Sequence, residues 1–254
     1  MLVRDAPDLR VFMLRRNFDS VWIAGASVFP GGAIDDADRH ESWEARTRGV
    51  DDVRASAALG LASGGLGFFV GAIRETFEEA GVLLAHAADG SPTDGRFAHL
   101  VEARDALNAG TMDFAAFVAD HSLILATDEL HVFSHWVTPP GSPRRYDTWF
   151  FVAAAPPGRY EHDNAELIAS AWIRPVDALA AADRGEMELI FPTRKSLEVL
   201  AGFASAADVL DAARRARRAD TTGRIRFVDE ASGGQRIALP GDPIHDDGAL
   251  PCPT

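Results

Sequence analysis

Arg74-Glu75-Thr76-Phe77-Glu78-Glu79-Ala80-Gly81-Val82 is the stretch on which the reading of this chain turns. Successive helical residues rotate by about 100°, so Glu75 stands one turn from both Glu78 and Glu79. Phe69, Ile73, Phe77 and Ala80 recur at three- and four-residue steps and predict a helix over 68–80 with one apolar face. Gly81 falls where a helix C-cap glycine belongs. Three carboxylates then share the side opposite the core. Like charges at this spacing weaken a helix, and a hard divalent cation with oxygen ligands removes that cost. Arg74 can reach Glu78 one turn on. Alone, the pattern also suits a solvated acidic face.

Upstream, Leu9–Arg16 reads as a strand, with Val11, Phe12, Met13 and Leu14 between Arg10 and Arg15. A second apolar segment, Trp22–Phe29, stops at Pro30-Gly31-Gly32, a strong backbone break. Between Asp35 and Gly67 the chain is acidic, then rich in Ala and Arg, and ends in Ser63-Gly64-Gly65-Leu66-Gly67. It reads as a surface excursion, with a short helix around Asp51–Leu61 and a hinge at the glycines.

Downstream, Phe97 to Asp120 reads as amphipathic helix, and Leu130–Val137, Thr148–Ala154 and Ser170–Ile173 as strands. The turn Pro139-Pro140-Gly141-Ser142-Pro143 precedes Arg144-Arg145. A helix starts after Pro175, a favoured first position. Further helices are expected at Thr193–Phe203 and Ala206–Ala219, then a hairpin of Arg224–Val228 with Arg236–Leu239.

The chain has 254 residues, 47% of them hydrophobic and 25% charged, enough for an ordinary globular core. Its net charge of −13, from 38 acidic against 25 basic side chains, argues against a nucleic-acid platform, which would neutralise phosphates with Lys and Arg. A small anionic substrate would need a metal ion or an Arg cluster beside it. Cys252 is the single cysteine, so no internal disulfide can form. No apolar run approaches the roughly 18 residues of a membrane span. The expectation is a cytoplasmic protein with no membrane partner.

With Phe29-Pro30-Gly31-Gly32 ahead of it, the glutamate helix resembles the Nudix box, G-x5-E-x7-R-E-U-x-E-E-x-G-U with U aliphatic. Gly32 matches the opening glycine, and Arg74, Glu75, Glu78, Glu79, Gly81 and Val82 match the second half. Arg74 lies 42 positions after Gly32 where the pattern has 14, so about 28 extra residues interrupt the box. Thr76 replaces an aliphatic residue. Counting back from Arg74, Leu66 stands where the first Glu belongs, and that acid is either lost or supplied from the insert by Glu41 or Glu44. The chain is similar to the Nudix subgroup that includes the peroxisomal coenzyme A diphosphatases, whose box carries such an insertion. Trp136-Val137-Thr138-Pro139, Arg144-Arg145-Tyr146-Asp147-Thr148 and Leu239-Pro240-Gly241-Asp242 follow that subgroup's order.

The resemblance implies a Nudix-type α/β/α sandwich with a mixed sheet. One domain would span residues 1–243, with an insert at about 35–67, a helical and hairpin extension at about 193–243, and a tail at 244–254. It implies Mg²⁺ or Mn²⁺ held by Glu75, Glu78 and Glu79, with Gly32 supplying a carbonyl. The activity implied is metal-dependent hydrolysis of a diphosphate linkage, with coenzyme A or acyl-coenzyme A favoured. ADP-ribose, NADH or nucleotide sugars are the alternative substrates, and a non-catalytic nucleotide-sensing Nudix domain is the reading from another class. Assembly as a homodimer is left open.

Arg74 is expected to orient the carboxylates, and Gly31 to lie against the substrate. Candidates to take the proton of the attacking water are Glu78 and Glu75 within the box and Glu166 outside it. Asn164-Ala165-Glu166 with Trp172 six residues on resembles a stretch found in Nudix chains, though Glu166 equally suits a surface position. Arg144 and Arg145 could grip phosphate oxygens or simply line a solvated turn. His131 and His135 are four apart, but Val132 stands where H-E-x-x-H needs its glutamate, so no zinc motif is read there. The run Arg214-Arg215-Ala216-Arg217-Arg218 reads as a solvated helix face or a partner of the helix dipole, with contact to a substrate 3′-phosphate as the other reading.

Overall fold

The computed structural model describes residues 1–17, 25–91, 100–138, 145–157, 160, 167–216, 222–224, 226–229 and 235–238. In chain order the strands are β1 (Leu2–Asp5), β2 (Leu9–Arg16), β3 (Ser27–Val28), β4 (Ala85–Ala87), β5 (Leu123–Leu125), β6 (His131–Val137), β7 (Asp147–Ala154), β8 (Leu167–Ile173), β9 (Thr222–Arg224), β10 (Arg226–Asp229) and β11 (Gln235–Ala238). The helices are α1 (Asp52–Leu59), α2 (Leu66–Ala80), α3 (Leu100–Asn108), α4 (Phe114–Asp120), α5 (Pro175–Asp183), α6 (Phe191–Leu200) and α7 (Ala206–Arg215).

β2 organises the main sheet. Val11, Phe12, Met13 and Leu14 are all buried, so both faces of the strand are covered, as a continuous apolar run requires. Phe12 and Leu14 join a cluster with Phe69, Ile73 and Phe77 of α2. Val11 and Met13 point to the opposite face, against Leu197 and Leu200 of α6 and Val209 and Leu210 of α7. The result is a sheet between helical layers. It is mixed: β3-β2-β1-β7-β6-β9 run in order, β8 pairs with β2, and the β1–β7 and β6–β9 pairs are parallel. The α/β/α sandwich expected from the sequence is the observed architecture. Among the described residues, no helix is long and apolar enough to cross a membrane.

α2 begins two residues earlier than its apolar periodicity suggests and ends on Gly81, whose φ of 68° and ψ of 19° are left-handed. The Gly81 and Val82 N–H groups close the end by donating to Phe77 and Thr76. The amphipathic stretch after it is two helices rather than one, parted at Gly110 with φ of 66°. β1, β4 and β5 are strands too short for periodicity to mark. The expected hairpin forms between β10 and β11, while β9 joins β6.

The insert is not a surface excursion. Asp38, Trp43, Ala55, Ser56 and Leu59 are buried, and Trp43, Ala55 and Leu59 belong to the same cluster as α2. Trp43 sits 5.7 Å from the Phe114 ring and donates from Nε1 to the Ala37 carbonyl. The Gly64-Gly65 pair is a close-packing point rather than a hinge. A Cβ on Gly65 would fall 2.3 Å from the Ser56 nitrogen, so the backbones of α1 and the start of α2 touch through it. Asp52 accepts hydrogen bonds from Gly64 and Leu66, and Ser56 Oγ from Gly65. The bonds from Gly65 and Leu66 satisfy N–H groups at the start of α2 that the helix itself leaves open, and the bond from Gly64 ties down the residue before it.

Candidate active site

The last two turns of α2 carry Arg74, Glu75, Glu78 and Glu79, and the Gly31-Gly32 loop after β3 lies against them. Gly31 adopts φ of 150°, and its N–H donates to Glu79 Oε2 at 2.7 Å. Gly32 is the point of closest approach: a Cβ there would meet Glu75 Oε2 at 2.5 Å. Only glycine leaves room for that carboxylate.

Arg74 is enclosed. Its Nη1 donates to Glu75 Oε1 at 2.9 Å and to Glu78 Oε2 at 2.8 Å. Its Nε and Nη2 grip both oxygens of Asp38, and Nη2 also reaches the Ala33 carbonyl. Burial alone would lower its pKa, but its hydrogen bonds to Asp38 and the charges of Glu75, Asp38 and Glu78 push it upward. Arg74 therefore stays charged and orients two carboxylates from one nitrogen.

Asp38 corrects an expectation. The acid completing the box is neither lost nor supplied by Glu41 or Glu44. Glu41 is exposed, and Glu44 accepts from the Asp52 N–H at the start of α1. Asp38 stands six positions after Gly32, the spacing the pattern gives from the opening glycine to the first acid. Counting forward from Gly32 would have found it; counting back across the insert could not.

Burial pushes the Glu75 carboxyl up to about 7, with Arg74 offsetting part of the rise and Glu78 adding to it. Glu78 is raised for the same first reason, against the pull of Arg74 and with the repulsion of Asp38 and Asp35. Burial thus disfavours the charged form of both carboxylates, and Arg74 offsets only part of that. Glu75 Oε2 and Glu78 Oε1 accept no hydrogen bond from the described residues. Among the described residues, no group of three His, Cys, Asp or Glu side chains already surrounds one point. The donor chemistry nevertheless suits a hard divalent cation: carboxylate oxygens within about one helical turn, beside a glycine backbone.

Other candidates stand apart. Arg145 is exposed, its Nε donating to the Thr138 carbonyl, and Arg144 and Glu166 lie outside the described residues. His131 and His135 have separate partners, Arg214 and Asp147, and His135 stacks on Trp149 with ring centroids 3.7 Å apart. Arg214 and Arg215 close the last turn of α7, as a dipole partner would. Sequence reading also missed Arg104 of α3, which donates to the carbonyls of Glu78 and Glu79. No motif marks it.

Comparison with known proteins adds an independent line. A family model described as the NUDT19 Nudix domain matches residues 50–198. The chain is 29% identical over 241 residues to the acyl-coenzyme A diphosphatase NUDT19 of Gallus gallus, and 29% over 240 residues to that of Homo sapiens. Each match covers 80% of this chain and 64% of the relative, so the chain spans a little under two thirds of their length. Among solved structures, the NUDIX hydrolase from Alicyclobacillus acidocaldarius superposes with a TM-score of 0.67 at 27% identity, covering 83% of this chain and 92% of that one. The box helix, the acid six residues beyond Gly32 and a family match over more than half the chain agree: this chain belongs to the NUDT19 Nudix domain family.

Proposed function

We propose that this chain is a Nudix diphosphatase that hydrolyses the diphosphate bond of a nucleoside diphosphate derivative, with coenzyme A or an acyl-coenzyme A as substrate. The products are 3′,5′-ADP and phosphopantetheine or its acyl form. The observation that carries the reading is the placement of Glu75, Glu78 and Glu79 in the final turns of α2, against the Gly31-Gly32 backbone. The names of the two relatives support the choice of substrate.

Glu75, Glu78 and Glu79, with the Gly32 carbonyl, would hold Mg²⁺ or Mn²⁺. When bound, such an ion supplies charge neutralisation for the diphosphate and for the leaving oxygen. Everything else falls to the chain. Arg74 fixes Glu75 and Glu78 through one nitrogen, and Asp38 fixes Arg74. The Gly31 N–H holds Glu79. Glu78 or Glu75 takes the proton of the attacking water, each with an oxygen left open by Arg74. Glu166 as an alternative base, and Arg144 with Arg145 as phosphate grips, rest on sequence alone.

The test is product release from coenzyme A, an acyl-coenzyme A, ADP-ribose and NADH, each with Mg²⁺ or Mn²⁺. Turnover of the coenzyme A substrates that disappears in Glu78→Gln and is only weakened in Arg145→Ala is the expected result. Faster turnover of ADP-ribose or NADH would reassign the substrate. Tight binding of one compound without turnover of any would make the domain a sensor.

A further inference from the structure

A helix leaves its last four carbonyls without intrahelical donors. In α2 the cap accounts for the first of them, since Gly81 N–H takes the Phe77 carbonyl, and Val82 N–H takes Thr76 one residue before. The carbonyls of Glu78 and Glu79, two of the three box glutamates, are met from outside the helix. Arg104 of α3 donates from Nε to the Glu78 carbonyl at 2.7 Å and from Nη2 to the Glu79 carbonyl at 2.6 Å. Asn108, one turn further along α3, adds a longer bond of 3.2 Å to the Glu78 carbonyl.

We infer that Arg104 is a positioning residue for the carboxylates of Glu78 and Glu79, acting through their backbone. A guanidinium is a rigid planar fork, so two of its nitrogens on consecutive carbonyls fix the relative tilt of two peptide planes. Those planes set the directions in which the two side chains leave the helix. The positive charge also sits at the negative end of the α2 dipole, where a cation stabilises. Lysine would keep that charge but, as a single rotatable point donor, could not hold both carbonyls in one geometry.

The inference rests on the proposed cation site, so its test reads the cation directly. Mn²⁺ binding to the 254-residue chain is measured by the electron paramagnetic resonance signal of the free ion, alongside the thermal midpoint and, with substrate, kcat and KM. Arg104→Ala is expected to weaken Mn²⁺ binding about 10- to 100-fold, the usual consequence of removing an outer partner of a metal ligand. kcat should fall at saturating substrate with KM changed less than about twofold. Arg104→Lys should restore the thermal midpoint more than the Mn²⁺ affinity.

Leu107→Ala, which thins the buried face of α3 without touching the carbonyls, separates positioning from packing. It should lower the midpoint and leave Mn²⁺ binding alone. Wild-type Mn²⁺ affinity and kcat in Arg104→Ala would overturn this inference and leave the proposed function standing. A wild-type protein that neither binds Mn²⁺ nor turns over any substrate would overturn both.

Discussion

Asp38 and Arg74 are 36 positions apart, yet they form a two-pronged ion pair with 2.9 Å between Asp38 Oδ2 and Arg74 Nη2, their side chains 2% and 8% exposed. The pair joins the insert to the box and sets the guanidinium that orients Glu75 and Glu78. Removing one member of a buried pair leaves the other charge uncompensated. Asp38→Ala should therefore destabilise the protein by about 3 kcal/mol in denaturant unfolding, the lower end of the usual range because Arg74 keeps Glu75 and Glu78. Turnover should fall as well, and Asp38→Glu should recover part of both.

Asp52 serves the first turn of α2 from within the insert. Its hydrogen bonds from Leu66 and Gly64 hold its carboxyl below the usual carboxylate value of 3.8. Asp52→Ala should cost about 1–2 kcal/mol, the scale of losing a helix cap. Because the folded pKa is depressed, this contribution is present above pH 3.8 and lost as pH falls through the folded value. Thermal melts should show the gap between wild type and Asp52→Ala narrowing as pH drops below about 4.

Gly32→Ala tests the close approach to Glu75. The new methyl would meet the far end of a flexible side chain, so the carboxylate swings aside and the backbone does not move. kcat is expected to fall about 100-fold, the scale of misplacing a reacting group by an ångström. The thermal midpoint should shift little. A large drop in midpoint with kcat intact would show that Gly32 serves folding instead.

Gly65→Ala probes the opposite case. Its Cβ would strike the Ser56 nitrogen at 2.3 Å, the Ser56 Cα at 2.5 Å and the Ala55 carbonyl carbon at 2.6 Å, all of them backbone. Backbone cannot swing away, so overpacking of about 1–3 kcal/mol is expected in chemical denaturation. The insert would part from α2, and Asp52 and Ser56 would lose their amide donors together.

Much of the site is local, and local things are legible in a one-dimensional chain. The 3.6-residue repeat of Phe69, Ile73, Phe77 and Ala80 specifies α2 and its buried side, and it brings Glu75, Glu78 and Glu79 within one turn of each other. Gly81 ends the helix because only a residue without a Cβ takes its left-handed conformation freely. β2 follows from four consecutive apolar residues.

What tertiary structure decided is pairing through space. Asp35, Asp38, Glu41 and Glu44 all lie in the insert. The box spacing counted forward from Gly32 points to Asp38, but that Arg74 meets it, with Asp35 also 3.5 Å away, is decided only by folding. The burial of Trp43 and Leu59 draws the insert onto α2 and leaves Asp38 facing the guanidinium. The same packing turns Glu79 toward Gly31 and brings Arg104 onto the carbonyls behind it. Periodicity reports which face a residue occupies; only the folded chain determines which distant group meets it there.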